Sequence, residues 1–390
     1  MKPTFSRRMN SIPESIFITL NEKKILRERA GLPVYNLSIG TPDFPPDRHV
    51  MAALEAAARD PENYKYAITD LPELVDAVRM WYGRRYGVSL AADEVMSVYG
   101  SQEGLAHIAF PLCNPGDIVL TPNPGYQIFS AGPYLAGAEL VDYPLLEENG
   151  FLPDLEKIPE EIADRAKIMV VSYPANPVCA TAPRSFYEEL VRFANRHNII
   201  VVHDNAYSEI VFDGEEGISF LSIPGAKEIG VELNSLSKTY RMTGCRISFA
   251  VGSRDVIAEF KKFRSQIDYG VFLPVQKAAI AALTGPQESV AEQRRLYQER
   301  RDALCGGLRG IGWPVPDSKG TMFVWAPVPD RYPDSLSFAL DLIEKSGVIC
   351  VPGSSFGSLG DRYVRMALVL PPERIRELVS AIDQSGILKG

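Results

Sequence analysis

A lysine flanked by hydroxyls and followed by an arginine is the set of side chains in this sequence best suited to covalent chemistry. Lys238 lies in Asn234-Ser235-Leu236-Ser237-Lys238-Thr239, and Arg246 follows eight positions later. An apolar run, 230–236, leads into the lysine, and a second, 247–251, follows the arginine. Both read as buried strands. A lysine between them sits at the edge of a sheet core, where desolvation penalises its ammonium form and lowers its pKa. Ser235, Ser237 and Arg246 supply hydroxyls and a planar cation, which suit a phosphate group rather than a metal. A reactive amine beside a phosphate cradle points to pyridoxal phosphate, with Lys238 as the Schiff-base lysine.

Four further sites lie just after other apolar runs. Gly100-Ser101-Gln102 opens a helix after 95–99, Tyr126 follows 118–121, Asn176 follows 168–173, and Asp204 with Tyr207 follows 199–203. In an open α/β sheet, ligands bind beyond the carboxyl ends of the strands. The free N–H groups of the helix starting at Ser101 and Gln102 would hold phosphate. Asp204 would keep the cofactor ring nitrogen protonated, Tyr126 would cover the ring, and Asn176 and Tyr207 would donate to its phenolate oxygen.

The elements that must position these residues are legible as alternating apolar runs and amphipathic helices. Runs at 95–99, 118–121, 139–143, 168–173, 199–203, 230–236 and 247–251 predict a seven-stranded, mostly parallel sheet covered by helices on both faces. The last pair lacks room for a helix between them, so one strand should be antiparallel. Before them come a charged amphipathic stretch at 11–30, a short strand at 34–39, the loop Gly40-Thr41-Pro42-Asp43, and helices at 47–59 and 71–86. After Gly252, helices at 254–267, 271–283 and 288–308 lead to strands at 322–326, 348–351 and 363–368, with helices at 335–345 and 372–382. The expected organisation is an N-terminal arm (1–45) that reaches the active site and the small domain, a large cofactor domain (46–285) and a smaller α+β domain (286–390).

Composition narrows the class. The 390 residues carry a net charge of −8 and are 46% hydrophobic, an ordinary globular balance that invites neither nucleic acid nor an anionic membrane. Five cysteines are scattered singly, which reads as free thiols in a cytoplasmic protein. No apolar run is long enough for a membrane span or a signal peptide. Gly353-Ser354-Ser355-Phe356-Gly357 matches the text of a hydrolase nucleophile elbow, but no histidine follows His203, so a triad is excluded. No dinucleotide, P-loop or zinc-protease motif occurs, and no metal site is expected.

The spacing Asn176, Asp204, Tyr207, Lys238, Arg246, with Ser-Leu-Ser-Lys-Thr-Tyr and Gly-Cys-Arg, resembles the class I/II aminotransferases of the fold type I pyridoxal phosphate enzymes. The resemblance runs from the Gly40 loop to Arg365. It implies that Arg365, in Tyr363-Val364-Arg365, binds the substrate α-carboxylate, that Gly40 and Asn176 also line the substrate site, and that the protein is a homodimer. Tyr66 has two readings: by resemblance it reaches the phosphate of the neighbouring subunit's cofactor, and by residue type it is a packed core tyrosine. Asp268-Tyr269-Gly270 and Pro274-Val275-Gln276 are similar to the alanine and LL-diaminopimelate branches. Cys179, Cys245 and Ser248 stand where the family usually has glycine, tryptophan and glycine. Cys179 and Cys245 read as packing residues rather than nucleophiles.

The implied reaction moves the amino group of an L-amino acid, with alanine, aspartate and LL-diaminopimelate as candidates, to a 2-oxo acid such as 2-oxoglutarate. The side-chain pocket is expected from the N-terminal helix, the Gly40 loop and Tyr269 or Arg241. Two alternatives stand beside this: a β-lyase or decarboxylase on the same fold, and a pyridoxal phosphate-binding regulator without turnover. A regulator would carry a basic DNA-binding module, for which no length is expected before Ser11 or after Ile387.

Overall fold

The structure is a computed structural model that describes residues 3–12 and 14–389. Met1, Lys2, Pro13 and Gly390, which the expected arm and C-terminal domain include, lie outside the described residues.

Among the described residues, twelve strands form three sheets: β1 (Tyr35–Asn36), β2 (Val95–Val98), β3 (Ile118–Asn123), β4 (Glu139–Pro144), β5 (Ala166–Ser172), β6 (Ile200–Asp204), β7 (Gly230–Ser235), β8 (Ser248–Gly252), β9 (Phe323–Pro327), β10 (Val348–Ile349), β11 (Val351–Pro352) and β12 (Tyr363–Ala367). The seven predicted runs make one sheet in the order β2-β8-β7-β6-β5-β3-β4. Neighbours from β7 to β4 are parallel, and β8 alone runs against both β7 and β2. The expectation of one reversed strand holds, because the link from Lys238 to Ser248 contains only short helical turns and no crossover helix. Its consequence is chemical. The amino end of β8 lies at the same sheet edge as the carboxyl ends of β2, β3, β5, β6 and β7, so Arg246 arrives beside Lys238.

Apolar side chains cover the sheet on both faces, as a mostly parallel sheet requires. Val119, Val170, Val202 and Leu233 pack with Leu105, Phe129 and Phe260 on one face. Leu120, Met169, Val171 and Val201 share the other with Trp81, Tyr82, Phe186 and Leu190.

The 23-residue helix Glu288–Gly310 leads into the C-terminal part, where β11, β12 and β9 form an antiparallel sheet. The single strand expected at 348–351 is two. β10 pairs in parallel with β1, and after Cys350 the chain changes partner, so that β11 pairs with β12. The N-terminal segment is thereby wedged into the C-terminal layer: Leu37 N donates to Ile349 O at 2.8 Å, and Ala367 N donates to Leu37 O at 2.8 Å. This wedge carries the chain from the C-terminal sheet straight into the Gly40 loop. No described helix is long and apolar enough to cross a membrane.

Candidate active site

A cleft of about 400 Å³ opens at the sheet edge where these strand ends meet. Gly40, Ser101, Gln102, Tyr126, Asn176, Asp204, Tyr207, Ser235, Ser237, Lys238, Arg246 and Arg365 all line it. Each arrives by a local cause. Ser235 ends β7 and caps the single turn Leu236–Thr239, its hydroxyl accepting from Ser237 N at 3.2 Å, and this turn presents Lys238. Ser101 is the first residue of the helix Ser101–His107; it does not cap that helix, because Gly100 takes the N-cap position.

Gly100 shows why the cradle is shaped as it is. At φ +87° it adopts a conformation suited to glycine, and a Cβ there would meet Arg246 Nη2 at 2.2 Å. Its bare backbone lets the guanidinium close over the helix start. Arg246 is itself left-handed, at φ 53°, and donates from Nη1 to Thr243 O at 3.0 Å and from Nη2 to Tyr99 O at 3.3 Å. With Ser101, Ser235 and Ser237 beside it, this guanidinium makes a fixed anion cradle of the kind a phosphate fills.

The two titratable groups suit the same group. Asp204 is buried, and its carboxylate accepts Ala206 N at 3.3 Å. Burial pushes its pKa up to about 6, although His203, whose Nδ1 lies 3.0 Å from Glu232 Oε2, opposes the shift. A buried carboxylate at that depth fits a protonated ring nitrogen. Lys238 Nζ donates to Gly40 O at 2.6 Å. Burial, then the Arg365 and Arg246 charges, push its pKa down to about 8. Tyr126 is anchored through its hydroxyl to Gln102 Oε1 at 3.1 Å, and burial holds its phenol above the ordinary value. The residues present therefore fit pyridoxal phosphate at its phosphate, ring nitrogen and aldehyde.

Arg365 faces the cleft from β12 and is 4% exposed. Its Nη1 donates to Asn176 Oδ1 at 2.7 Å and its Nη2 to Ser38 O at 3.3 Å, while Nε is buried without a partner. Phe323 and Phe356 lie against the guanidinium, with ring centroids 4.1 and 4.7 Å away. Sequence reasoning missed both rings; their signal would have been aromatic residues near the same strands as Arg365. It also missed Phe17, Ser38, Ile39, Thr41 and Thr243, which line the cleft. The N-terminal helix and the Gly40 loop do supply wall, as expected. Gly40 has a packing reason to be glycine, since a Cβ there would meet Phe323 Cζ at 2.4 Å.

Three expectations are corrected. Arg241 does not reach the cleft: its Nη2 donates to Asp47 Oδ2 at 3.0 Å and to Ser289 Oγ at 2.9 Å, an ion pair that uses its charge elsewhere. Tyr269 lies outside the cleft of its own chain, half exposed, with its carbonyl accepting from Tyr99 Oη at 2.8 Å. Tyr66 is no core tyrosine. It is 78% exposed, stacks obliquely on Tyr269 at 4.8 Å, and does not line its own chain's cleft. Cys179 packs in the core at φ 61°, a backbone cause for glycine at that position elsewhere, and burial pushes its thiol up to about 11, which makes it a poor nucleophile.

The model of the aminotransferase class I and II family matches residues 33–382. The chain is 47% identical over 380 residues, 97% of each chain, to an LL-diaminopimelate aminotransferase of Moorella thermoacetica. It is 41% identical over 380 residues to the protein of the same name from Aquifex aeolicus, covering 97% of this chain and 98% of that one. Among solved structures, substrate-bound BacF from Bacillus subtilis superposes with a TM-score of 0.94 at 37% identity over 98% of both chains. A probable N-succinyldiaminopimelate aminotransferase from Thermus thermophilus gives 0.91 at 35%, covering 95% of this chain and 100% of that chain. The chain belongs to the class I and II aminotransferases, with the fold type I architecture. It is a transaminase, and its substrates are an amino acid and a 2-oxo acid.

The crowding of cations predicts how Lys238 titrates. In cofactor-free protein, labelling of Lys238 by an amine reagent should rise with pH around a midpoint of about 8, where a solvated lysine needs about 10.4. Peptide mapping across pH reads this directly, and a midpoint at the solvated value would contradict the burial of the amine.

Proposed function

We propose that this cleft holds pyridoxal phosphate and transfers an amino group from an L-amino acid to a 2-oxo acid, with Lys238 as the working amine. The observation that carries the reading is the convergence of Lys238, Asp204, the Arg246 cradle and Arg365 on one cleft. When bound, the cofactor supplies an aldehyde that captures amino groups and a protonated ring that accepts an electron pair from Cα.

The chain's own residues do the rest. Lys238 holds the cofactor at rest. Arg246, Ser101, Ser235 and Ser237 hold its phosphate, Asp204 keeps its ring nitrogen protonated, Tyr126 covers the ring face, and Asn176 and Tyr207 donate to its phenolate oxygen. Gln102 fixes the Tyr126 hydroxyl. Arg365 grips the donor's α-carboxylate with its fork, one arm of which is steadied by Asn176 Oδ1. That grip orients the Cα–H bond for cleavage and keeps the Cα–carboxylate bond out of line, which favours amino transfer over decarboxylation. Once a donor releases Lys238, Nζ would be the group placed to take the Cα proton and to give it back at the carbon that the cofactor's aldehyde supplies, across the donor nitrogen. A base with a pKa near the working pH suits this shuttle, and burial moves Lys238 that way. Gly40 contributes through its carbonyl, which holds Nζ in the cofactor-free protein.

For the donor, the relatives' names supply LL-diaminopimelate first. A second reading rests on Phe17 and Ile39, which line the cleft while 38% and 54% exposed. An apolar donor side chain would cover them. We also read residues 1–45, 46–285 and 286–390 as arm, large domain and small domain, and the scattered free thiols favour the cytoplasm. The exposed apolar face of Tyr64, Tyr66, Ile68, Tyr269 and Phe272 fits a second copy of this chain, with Tyr66 reaching the partner's cofactor phosphate. Sedimentation should give twice the 43.1 kDa chain mass, and a monomer at micromolar concentration would reject the pairing.

The decisive kinetics use a donor panel of LL-diaminopimelate, alanine, aspartate, leucine and phenylalanine with 2-oxoglutarate. Lys238→Ala should lose roughly 10²–10⁴-fold or more in kcat while the protein still binds cofactor non-covalently. Arg365→Ala should raise the donor KM far more than the cofactor Kd. Full turnover in Lys238→Ala would refute the role of Lys238, and release of ammonia or carbon dioxide without amination of 2-oxoglutarate would refute amino transfer.

A further inference from the structure

We propose that Arg300 and Asp43, remote from the reacting atoms, are a positioning pair that sets the spacing between Lys238 and Arg365. The inference rests on the amino-transfer reading above and adds a determinant of its geometry.

Arg300 lies on the helix Glu288–Gly310 and is 5% exposed. Its Nη1 and Nη2 donate to Asp43 Oδ1 and Oδ2 at 2.7 and 2.8 Å, a two-point fork. Nη1 also donates to Leu368 O at 2.9 Å. The guanidinium is further fixed over the rings of Phe44 and Tyr297, 4.5 and 5.8 Å from their centroids. One planar group thus ties together two segments of chain, each of which runs directly into the cleft.

The first segment is the loop ending at Asp43. Three residues before it (43 − 40) is Gly40, whose carbonyl accepts Lys238 Nζ at 2.6 Å, with Ile39 and Thr41 on the cleft wall. The second is the end of β12. Three residues before Leu368 (368 − 365) is Arg365, whose Nη2 returns to Ser38 O at 3.3 Å. The contacts close a ring: Arg300, Asp43, the Gly40 loop, Ser38, Arg365, Leu368 and back to Arg300. Without the Arg300 fork the segment keeps the Leu37 backbone bonds to Ile349 and Ala367, the long Ser38–Arg365 bond, the Lys238–Gly40 bond and the Asp47–Arg241 pair four residues beyond Asp43 (47 − 43), but Asp43 itself loses both of its side-chain hydrogen bonds. Gly40 has no side chain with which to hold itself in place.

The Arg300 guanidinium is buried but the Asp43 side chain is 36% exposed, and a partly solvated ion pair contributes little stability. What the fork does supply is direction and distance, because two parallel hydrogen bonds fix the plane of both groups. Those are the properties that a site needs when a shift of about 1 Å costs as much as a hundredfold in rate.

The test uses Asp43→Asn, which keeps size and one acceptor, and Arg300→Lys, which keeps charge but removes the fork. In both, the donor KM should rise about tenfold or more, with a smaller loss in kcat and with cofactor Kd and thermal midpoint near wild type. Lys238 labelling in the cofactor-free variants should move to lower pH, because the ammonium loses its fixed carbonyl acceptor. Donor KM and labelling midpoint both at wild-type values would overturn the proposal, whether or not the melting temperature falls, since a merely structural pair moves only the latter. If Arg300→Lys does not fold, Asp43→Asn carries the comparison alone. Absence of amino transfer in the wild type would sink the functional reading, and the labelling shift would still decide the role of the pair.

Discussion

Positive charge crowded into one cleft, with Arg365 buried, Lys238 half-buried and Arg246 at the exposed end, is the constraint around which this molecule is arranged. Lys238, Arg246 and Arg365 share one cleft, and Asp204 is the one carboxylate among its described lining residues. Burial and the two arginines drive Lys238 towards its neutral form. Arg365 lies on two aromatic faces that stand in for part of its lost hydration. Such an arrangement favours anions, and on the proposed reading these are a phosphate at the Arg246 cradle and a carboxylate at Arg365. The two arginines also add to burial in lowering the Lys238 pKa.

The scaffold exists to bring these charges together without letting them relax. Strand ends from β2, β3, β5, β6 and β7 approach one edge, and the reversed β8 delivers Arg246 to it. Arg365 comes from a separate antiparallel sheet, so the distance between Lys238 and Arg365 is set by how the C-terminal layer meets the large sheet. The N-terminal segment, wedged between β10 and β12, is one physical link between the two, beside the contacts of 210–212 with 319–321.

Much of this was legible in the sequence. Buried strands must be largely apolar, so six of the seven runs stood out, while the edge strand β4, mostly exposed or half-buried, shows only through Leu140-Val141; the chemistry-bearing residues followed the buried runs at once. Twelve of the expected site residues therefore line the cleft. The unread features depend on contacts between distant segments. Phe323 and Phe356 matter only because β9 and the turn after β11 fold against Arg365, which no local pattern encodes. Cys350 marks a change of strand partner inside what reads as one apolar run, and periodicity carries no information about partners. Arg241 sits three residues from Lys238 yet turns away, because its left-handed backbone aims the side chain at Asp47. Tyr66 had two readings because residue type alone does not fix exposure, and in the fold it is exposed.

The central claim is that one amine out of the whole chain is the cofactor's attachment point. Protein loaded with pyridoxal phosphate, treated with borohydride and digested, should yield a single tagged peptide containing Lys238, with loss of the yellow absorbance. A colourless protein that takes up no cofactor, or a tag spread over surface lysines with residue 238 unmodified, would contradict the account.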